Sequence, residues 1–554
     1  MTQTQYAPGD FPASRGNLLT PAYLWLVRQQ RARALGLAAG FGVLANLAFP
    51  PIWFWPAMLI ALSGLVWLLD GAKLALRPGR AAFWRVFAFG FAYFLVGLHW
   101  IVAAFLVDPG AHLWLIWLPL LILPGGLALI LASVMLLAFQ LWSTGPARLI
   151  TFSVLFMAAE WIRGALFGLG GLPWNLPGMA WEPGGAISQS ASIWGIYGLS
   201  LLTVVALASP AALADRRPRG TTALRAAPAI AAAILFGALW GWGSQRLSTV
   251  EQQPDGPMVR LVEAGVPQAA KYDEGVAAAM VRRFSDLTGP DGSGTPSIVI
   301  WPEGALPYFL FEWPEALDLI AERLGDRRLI IGVARREQAG SSGEKTYNSL
   351  TVLSGDSALR GPLQIYDKHM LVPFGEFTPL ADLIDRLGVE TLQKLAPGGF
   401  SPGPRPAPVK VVGVPAFGPM ICYEAIFPGL APDGIDRPQW LVNISNDSWF
   451  GGLSGPYQHA AQARYRSIEE GLPMARVAAG GLTGMIDAYG RWTARGSPAD
   501  PVIYGADPAG WKSSVVDAPI PPVAAPTPYS RWRDGLFWII FLGLNLGLLV
   551  LPRR

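Results

Sequence analysis

Three segments in the second half of this 554-residue chain put reactive side chains in apolar surroundings. Ile298-Val299-Ile300-Trp301-Pro302-Glu303 is an apolar run that ends on a carboxylate. Tyr366-Asp367-Lys368-His369 is followed by Leu371-Val372-Pro373-Phe374-Gly375-Glu376-Phe377. Lys368 and Glu376 thus stand among apolar and aromatic neighbours, a costly setting for charges unless they are paired. Val411 to Pro428 holds Cys422, the only cysteine, after the apolar Pro419–Ile421 and before Tyr423-Glu424. A strand that ends in a turn with a thiol at its tip presents a nucleophile to a base; most free cysteines are small buried hydrophobes instead. A Glu, a Lys and a Cys are enough for acyl transfer through a thioester. The carboxylate takes the thiol proton and returns it to the leaving group, while the cation favours the thiolate and stabilises the oxyanion. Spacing alone leaves open whether the three side chains meet.

The elements around them alternate from about 257 to 517. Strands are expected at Met258–Glu263, Ser297–Trp301, Arg328–Ala334, Ser349–Leu353, Gln364–Tyr366, Gly418–Tyr423, Trp440–Ile444, Met474–Ala478 and Met485–Ala488. Helices are expected at about 273–288, 314–324 and 457–470. This alternation reads as a layered α/β domain large enough for a full core. The Pro-rich 518–528 reads as a stiff linker, and there is no internal repeat.

Everything before that domain reads as membrane. The chain is 52% hydrophobic with 14% charged residues and a mean hydropathy of +0.36, against about 25% charged residues in soluble domains. Long apolar runs fall at 35–49, 53–70, 82–107, 113–142, 149–169, 188–213 and 226–243, with a last one at 534–551. These make eight candidate spans, the fourth expected to kink at Pro124-Gly125-Gly126. A basic segment before a short apolar stretch also fits a signal peptide, but six further spans favour an uncleaved first helix. Arg15, Arg28, Arg31 and Arg33 precede the first span; Lys73, Arg77 and Arg80 follow the second. Arg148 follows the fourth, Arg216, Arg217, Arg219 and Arg225 lie between the sixth and seventh, and Arg553-Arg554 end the chain. The loops 50–52 and 108–112 carry no Lys or Arg. The positive-inside rule therefore puts the termini in the cytoplasm and the α/β domain outside. Loop 164–187, with Trp174 and Trp181, suits an interfacial belt, and Glu160 with Arg163 makes an intramembrane pair three residues apart. The domain boundaries expected are a cytoplasmic segment 1–34, a membrane domain 35–243, an outward domain 244–530 and a final span 531–554.

The net charge of +4 gives no reason to expect a nucleic-acid partner. One cysteine and four scattered histidines (His99, His112, His369, His459) argue against a disulfide framework and a metal site.

The segments WPEGALP, IYDKHMLVPFGEFTPL, GPMICYEAIFP and NISNDSWFGGLSGPYQHAAQARYRSIEEGLPMAR closely resemble the apolipoprotein N-acyltransferase family, the membrane-embedded branch of the nitrilase superfamily. The resemblance spans the whole chain. It implies an eight-helix membrane domain carrying an αββα nitrilase-like sandwich that faces the periplasm of a bacterial inner membrane. It also implies roles: Glu303 as general base, Lys368 as the oxyanion-stabilising lysine, Cys422 as the acylated nucleophile and Glu376 as a supporting carboxylate. Tyr423 and Glu424 would shape the pocket. Tyr272 stands where a Trp that holds acyl chains is expected, and Ala479-Gly480 stand where the family commonly has asparagines. The implied reaction needs no cofactor or metal. An acyl chain passes from a phospholipid to Cys422 and then to the α-amino group of a diacylglyceryl-cysteine at the N-terminus of an apolipoprotein; the oligomeric state stays open, with a monomer the favoured reading. Tyr308, Phe309, Leu310, Phe311 and Trp313 rest either at the lipid interface or on the domain's own core, and the Asp447–Gly452 loop has the glycines of a lid.

Two other readings fit parts of the pattern. A membrane-tethered amidase or nitrilase would use the same three residues on a soluble C–N bond. A transporter with an outer ligand-binding domain would not need the thiol.

Overall fold

The structure is a computed structural model, and it describes residues 19–143, 145–166, 170–215, 222–249, 256–306, 308–338, 344–381, 399–432, 437–496 and 513–550. Arg15, Arg216, Arg217, Arg219, Arg553 and Arg554, which carry part of the orientation argument, lie outside them.

A helix lies at each of the eight apolar runs: α1 (Arg31–Ala45), α2 (Pro56–Ala72), α3 (Pro78–Gly97), α4 (Leu123–Gln140), α5 (Ala147–Gly164), α6 (Ala191–Ala208), α7 (Thr222–Ser248) and, after the α/β domain, a C-terminal helix Gly535–Val550. Among the described residues three helical stretches are long and apolar enough to cross a bilayer, namely Pro109–Gln140, Ile187–Ala214 and Arg225–Ser248. A fourth is added if α3 and His99–Phe105, bent by 51°, form one broken span. At 15 and 17 residues α1 and α2 are shorter than the ~20 that a bilayer needs, so helix count and span count do not coincide. A π-helical turn, Leu118–Ile122, lies just ahead of Pro124, and Pro109–Gln140 runs as one helical stretch through the position of the expected kink. The seventh helix continues to Ser248, past the boundary expected at 243.

Two six-stranded sheets form the rest. The first contains β1 (Met258–Glu263), β2 (Ile298–Ile300), β3 (Arg328–Gln338), β4 (Glu344–Leu353) and β5 (Gln364–Asp367). The second contains β6 (Val409–Val411), β7 (Val414–Ile421), β8 (Trp440–Asn446), β9 (Met474–Ala479), β10 (Gly484–Ile486) and β11 (Trp492–Arg495). A last strand, β12 (Ser514–Pro519), returns to the first sheet. The orders are β12-β1-β2-β3-β4-β5 and β11-β10-β9-β8-β7-β6, parallel only at β1–β2–β3 and β7–β8–β9. Side chains alternate as strand geometry demands. Ile298 and Ile300 face Val442, Ile444 and Phe417 between the sheets, while Val299 and Trp301 face helices α8 (Glu274–Thr288) and α9 (Pro314–Leu324) through Phe284 and Ile320. Helix α10 (Gly455–Glu470) covers the outer face of the second sheet, Ala463 against Met420 and Leu441. The layers are therefore helix, sheet, sheet, helix.

Four expectations need correction. Tyr423 is not in the strand, because β7 ends at Ile421 and Cys422–Ile426 is a 3-10 turn. The Pro-rich stretch begins as strand β12, paired antiparallel with β1; it then packs on the domain, Ala524 N donating to Gly471 O at 3.1 Å. Trp174 and Trp181 are buried rather than spread along a lipid interface, their indole N–H groups bonded to Gln458 and Thr203. Intrachain acceptors for both indoles explain this: a bonded Trp tip has no need of headgroup water. Finally, β6 and β11 went unpredicted, being only three and four residues long.

The two halves share one core. Tyr423, Ile426, Phe427, Leu430, Tyr465 and Ile468 pack in the same buried cluster as the helices of the membrane half.

Candidate active site

The three groups of the expected triad stand just past the C-terminal ends of strands. Glu303 follows β2, Lys368 follows β5 and Cys422 follows β7. The two sheets face each other, β1 against β9 and β4 against β7, and the three side chains lie at one rim of the sandwich. Lys368 Nζ lies 3.1 Å from Glu303 Oε1 and 2.9 Å from Glu376 Oε1. Asn348 Nδ2, on β4, donates to the same two oxygens at 2.7 Å each. The second oxygens are also held: Glu303 Oε2 accepts from Asn446 N at 2.9 Å, and Glu376 Oε2 accepts from Val372 N at 2.8 Å. The Cys422 thiol stands close enough to the Glu303 carboxylate to favour its ionised form. The structure thus brings Glu303, Lys368, Glu376 and Cys422 into one cluster.

Electrostatics assign protonation states. Burial opposes charge on Glu303, yet the Lys368 ammonium and the bonds from Asn348, Lys368 and Cys422 hold its carboxyl below the ordinary range. Burial likewise opposes charge on Lys368, and the two carboxylates outweigh it, holding the ammonium well above the ordinary lysine value. The thiol goes the other way. Burial, and next the Glu303 charge, push Cys422 far above an ordinary cysteine against the pull of Lys368. The expected lysine-favoured thiolate is therefore outweighed: at rest Cys422 is a neutral thiol beside an ionised carboxylate.

Glu424 organises the backbone around this cluster. Its Oε2 accepts from Ile421 N at 2.6 Å. Its Oε1 accepts from Tyr366 Oη at 2.6 Å, His369 N at 2.8 Å and Met370 N at 3.2 Å. One carboxylate so ties the loop bearing Lys368 to the turn bearing Cys422. Cys422 itself adopts φ +49°, a left-handed conformation that costs a non-glycine residue about 1–2 kcal/mol and persists only where neighbours over-determine it. Tyr423 reaches away from the cluster, its hydroxyl donating to the carbonyls of Gly171 and Gly170 in the loop between α5 and α6. That loop is anchored in turn by Arg163, which pairs with Glu160 and donates to Leu172 O and Trp174 O. The intramembrane pair is accordingly a clamp on the loop beneath the nucleophile.

Tyr272 ends the turn Ala269–Tyr272, and its side chain lies outside the described residues. The Tyr308–Trp313 segment packs on the domain core: Leu310 is fully buried there, with Tyr308, Phe311 and Trp313 against the same cluster. The Asp447–Gly452 loop is pinned, with Asp447 fully buried and Phe450 ringed by Trp100 and Trp174 at 4.4 and 5.9 Å between centroids. Sequence reading missed Asn348, Asn446 and Gln268, whose amides link the carboxylates to one another and to the 268–272 turn. It also missed Glu263 and Lys271. Burial raises Glu263 to about 7 and lowers Lys271 to about 8, and among the described residues Glu263 Oε2 and Lys271 Nζ have no hydrogen-bond partner. Only an acidic or basic residue at the end of an apolar run marked these two, the same signal that singled out Glu303.

Comparison with known proteins follows the same division. Residues 19–209 match the family model described as apolipoprotein N-acyltransferase N-terminal domain, and residues 295–506 match carbon-nitrogen hydrolase. An apolipoprotein N-acyltransferase of Rhodopseudomonas palustris is 38% identical over 526 residues, covering 93% of this chain and 94% of the relative. One from Caulobacter vibrioides is 38% identical with 92% of each chain covered. One from Brucella melitensis is 34% identical, covering 95% of this chain and 97% of the relative.

Proposed function

Since the chain belongs to the apolipoprotein N-acyltransferase family, we propose that it moves an acyl chain from a phospholipid to the N-terminal diacylglyceryl-cysteine of apolipoproteins by way of Cys422. The observation that supports this reading most is the grouping of an ionised Glu303, a doubly paired Lys368 and a neutral thiol at a rim of the sandwich that packs into the membrane half.

In the first half-reaction Cys422 Sγ attacks the ester carbonyl carbon as Glu303 takes the thiol proton, so a free thiolate never has to form in a buried site. The carbonyl oxygen becomes an oxyanion beside Lys368 Nζ. Collapse breaks the carbon–oxygen bond, Glu303 protonates the departing glycerol oxygen, and a lysophospholipid leaves an acyl thioester on Cys422. In the second half-reaction the acceptor's α-amino nitrogen attacks the thioester carbon, Glu303 takes its proton, and Sγ leaves to recover that proton. The product is an amide and the free enzyme. Glu376 and Asn348 keep Lys368 and Glu303 at bonding distance through both steps. No metal or organic cofactor enters. The enzyme works as a monomer that crosses the bacterial inner membrane eight times, its domain 244–530 in the periplasm between membrane domain 35–243 and final span 531–554.

The test is direct because the chain has one cysteine. Purified protein mixed with phospholipid should gain one acyl mass on Cys422 and release one equivalent of lysophospholipid. A diacylglyceryl-cysteine peptide should then discharge it, and Cys422→Ala should do neither. Turnover of a soluble amide with no acyl adduct would favour the hydrolase reading and overturn this one.

A further inference from the structure

His459, on α10, is buried to 1% exposure behind the nucleophile, and the reaction outlined above does not use it. Its Nε2 lies 3.0 Å from the backbone carbonyl oxygen of Cys422, and its Nδ1 lies 2.8 Å from Asp447 Oδ1. A carbonyl only accepts, and so does an ionised carboxylate. Asp447 is ionised: burial opposes its charge, but Arg476 and then His459 hold it down at about 2. Nε2 therefore gives a hydrogen to the Cys422 carbonyl, and Nδ1 faces the Asp447 carboxylate. Arg476 also approaches Nδ1 at 3.2 Å, but its short bond, 2.6 Å, runs to Asp447 Oδ2. Ser445 Oγ completes the set by donating to Asp447 Oδ1 at 2.6 Å. The remaining faces of the ring are aromatic, with Trp174 and Phe450 each 5.6 Å away between centroids. Trp174 comes from the loop that Arg163 clamps in the membrane half.

We infer that His459, held between Asp447 and the Cys422 carbonyl, is a positioning residue for the nucleophile, supporting Cys422 in its left-handed conformation and linking it to the membrane half through Trp174. The backbone is then held on both sides of Cys422: Glu424 takes the N–H of Ile421, one peptide before it, and His459 gives a hydrogen to the carbonyl of Cys422. Holding the backbone at both points limits where Sγ can stand. Misplacing a reacting atom by about 1 Å costs on the order of 10²-fold in rate, which sets the size of the expected effect.

This inference rests on reading Cys422 as the nucleophile, and two isosteric variants separate the two ideas. His459→Gln places an amide N–H where Nε2 was and keeps the bond to Cys422 O. His459→Asn places its amide near Nδ1 and keeps only the bond to Asp447. Full-length protein in detergent is assayed for acyl gain from phospholipid and, independently, for alkylation by chloroacetamide, both read by intact mass. The expectation is that His459→Gln keeps both rates within ~10-fold of the parent while His459→Asn loses ~100-fold in both. Equal rates in the two variants, or His459→Asn as the faster, would overturn the positioning role. An unmodified protein that alkylates but never acylates would overturn the nucleophile reading instead. Should neither variant fold, ¹⁵N spectra of the histidine-labelled parent decide: a hydrogen on Nε2 of His459 is required, and a ring protonated on Nδ1 alone refutes the inference.

Discussion

Lys368→Met removes the cation that two buried carboxylates share, and its consequence follows from the distances. At about 3 Å and an effective dielectric of ~20, each Lys368–carboxylate contact (3.1 and 2.9 Å) is worth about 5 kcal/mol of Coulomb energy before desolvation. Without the ammonium, Glu303 and Glu376 face each other across Asn348, both bonded to one amide nitrogen. Burial is already the largest influence on Glu303 and acts to raise it. With only the bonds from Asn348 and Asn446 and the nearby thiol left to offset it, burial moves the carboxyl upward and weakens the base. Losing an oxyanion donor costs ~10²–10³-fold and losing general base catalysis another ~10²–10⁴-fold, so acyl gain at pH 7 should fall by ~10⁴-fold or more. The sign of the pH dependence is a second signature. Raising the pH re-ionises Glu303 in the variant, so its residual rate should climb between about pH 7 and 9 more steeply than that of the parent. Single-turnover acylation by intact mass, with thermal melting to show the fold is kept, measures both. A folded variant within ~10-fold of the parent, or a loss independent of pH, would refute the reasoning.

Glu424→Gln should lower the melting temperature by the equivalent of about 1–3 kcal/mol and slow acylation. An amide at that site turns an N–H toward Ile421 N, which sits 2.6 Å from Oε2 and is itself a donor; melting and acylation like the parent's would refute this. Asp447, held at about 2 against an ordinary 3.8, contributes stability that is present above pH ~4 and lost as pH falls toward 2, worth about 2 kcal/mol. Melting curves at pH 5 and 3 should show that loss in the parent and not in Asp447→Asn. Gly171→Ala puts a Cβ 2.4 Å from Gly164 O at φ +46° and should destabilise by about 1–3 kcal/mol while freeing Tyr423 from the loop. Gly125→Ala on α4 meets nothing within 4 Å and serves as a control, with melting unchanged or slightly raised.

What the sequence showed, and what it hid, divides along physical lines. Strands β2, β3 and β8 were legible because both of their faces are buried, which leaves continuous apolar runs. Strand β12 hid in a Pro-rich stretch because it is an edge, partnered on one side only, where a poor strand former costs little. Glu303, Lys368, Glu376 and Cys422 stood out because a charge or a lone thiol is conspicuous among hydrophobes. Asn348 and His459 did not. An asparagine inside a strand and a histidine inside a helix look like any polar residue on a half-exposed face, and only contacts across 28 to 45 residues give Asn348 its place.

The buried tryptophans explain why the membrane half is part of the site and not an anchor for it. Trp100 Nε1 and Trp174 Nε1 both donate to Gln458 Oε1, at 3.1 and 2.7 Å, from two different membrane-side segments. Gln458 precedes His459, whose ring lies beneath Trp174 and whose Nε2 meets Cys422 O. On the other side of the turn Tyr423 bonds the Gly170-Gly171 carbonyls, which hang from the Arg163–Glu160 clamp. Both flanks of the nucleophile turn are thereby referred to helices α3, α5 and α6. A domain cut free of those helices would lose the acceptors of Tyr423 and the aromatic cover of His459 together, leaving a buried ring against water and a strained φ without support. The isolated sandwich should therefore alkylate at Cys422 with altered rate even where its two sheets remain folded. The converse, an isolated domain with the reactivity of the full chain, would mean that the membrane half only tethers it.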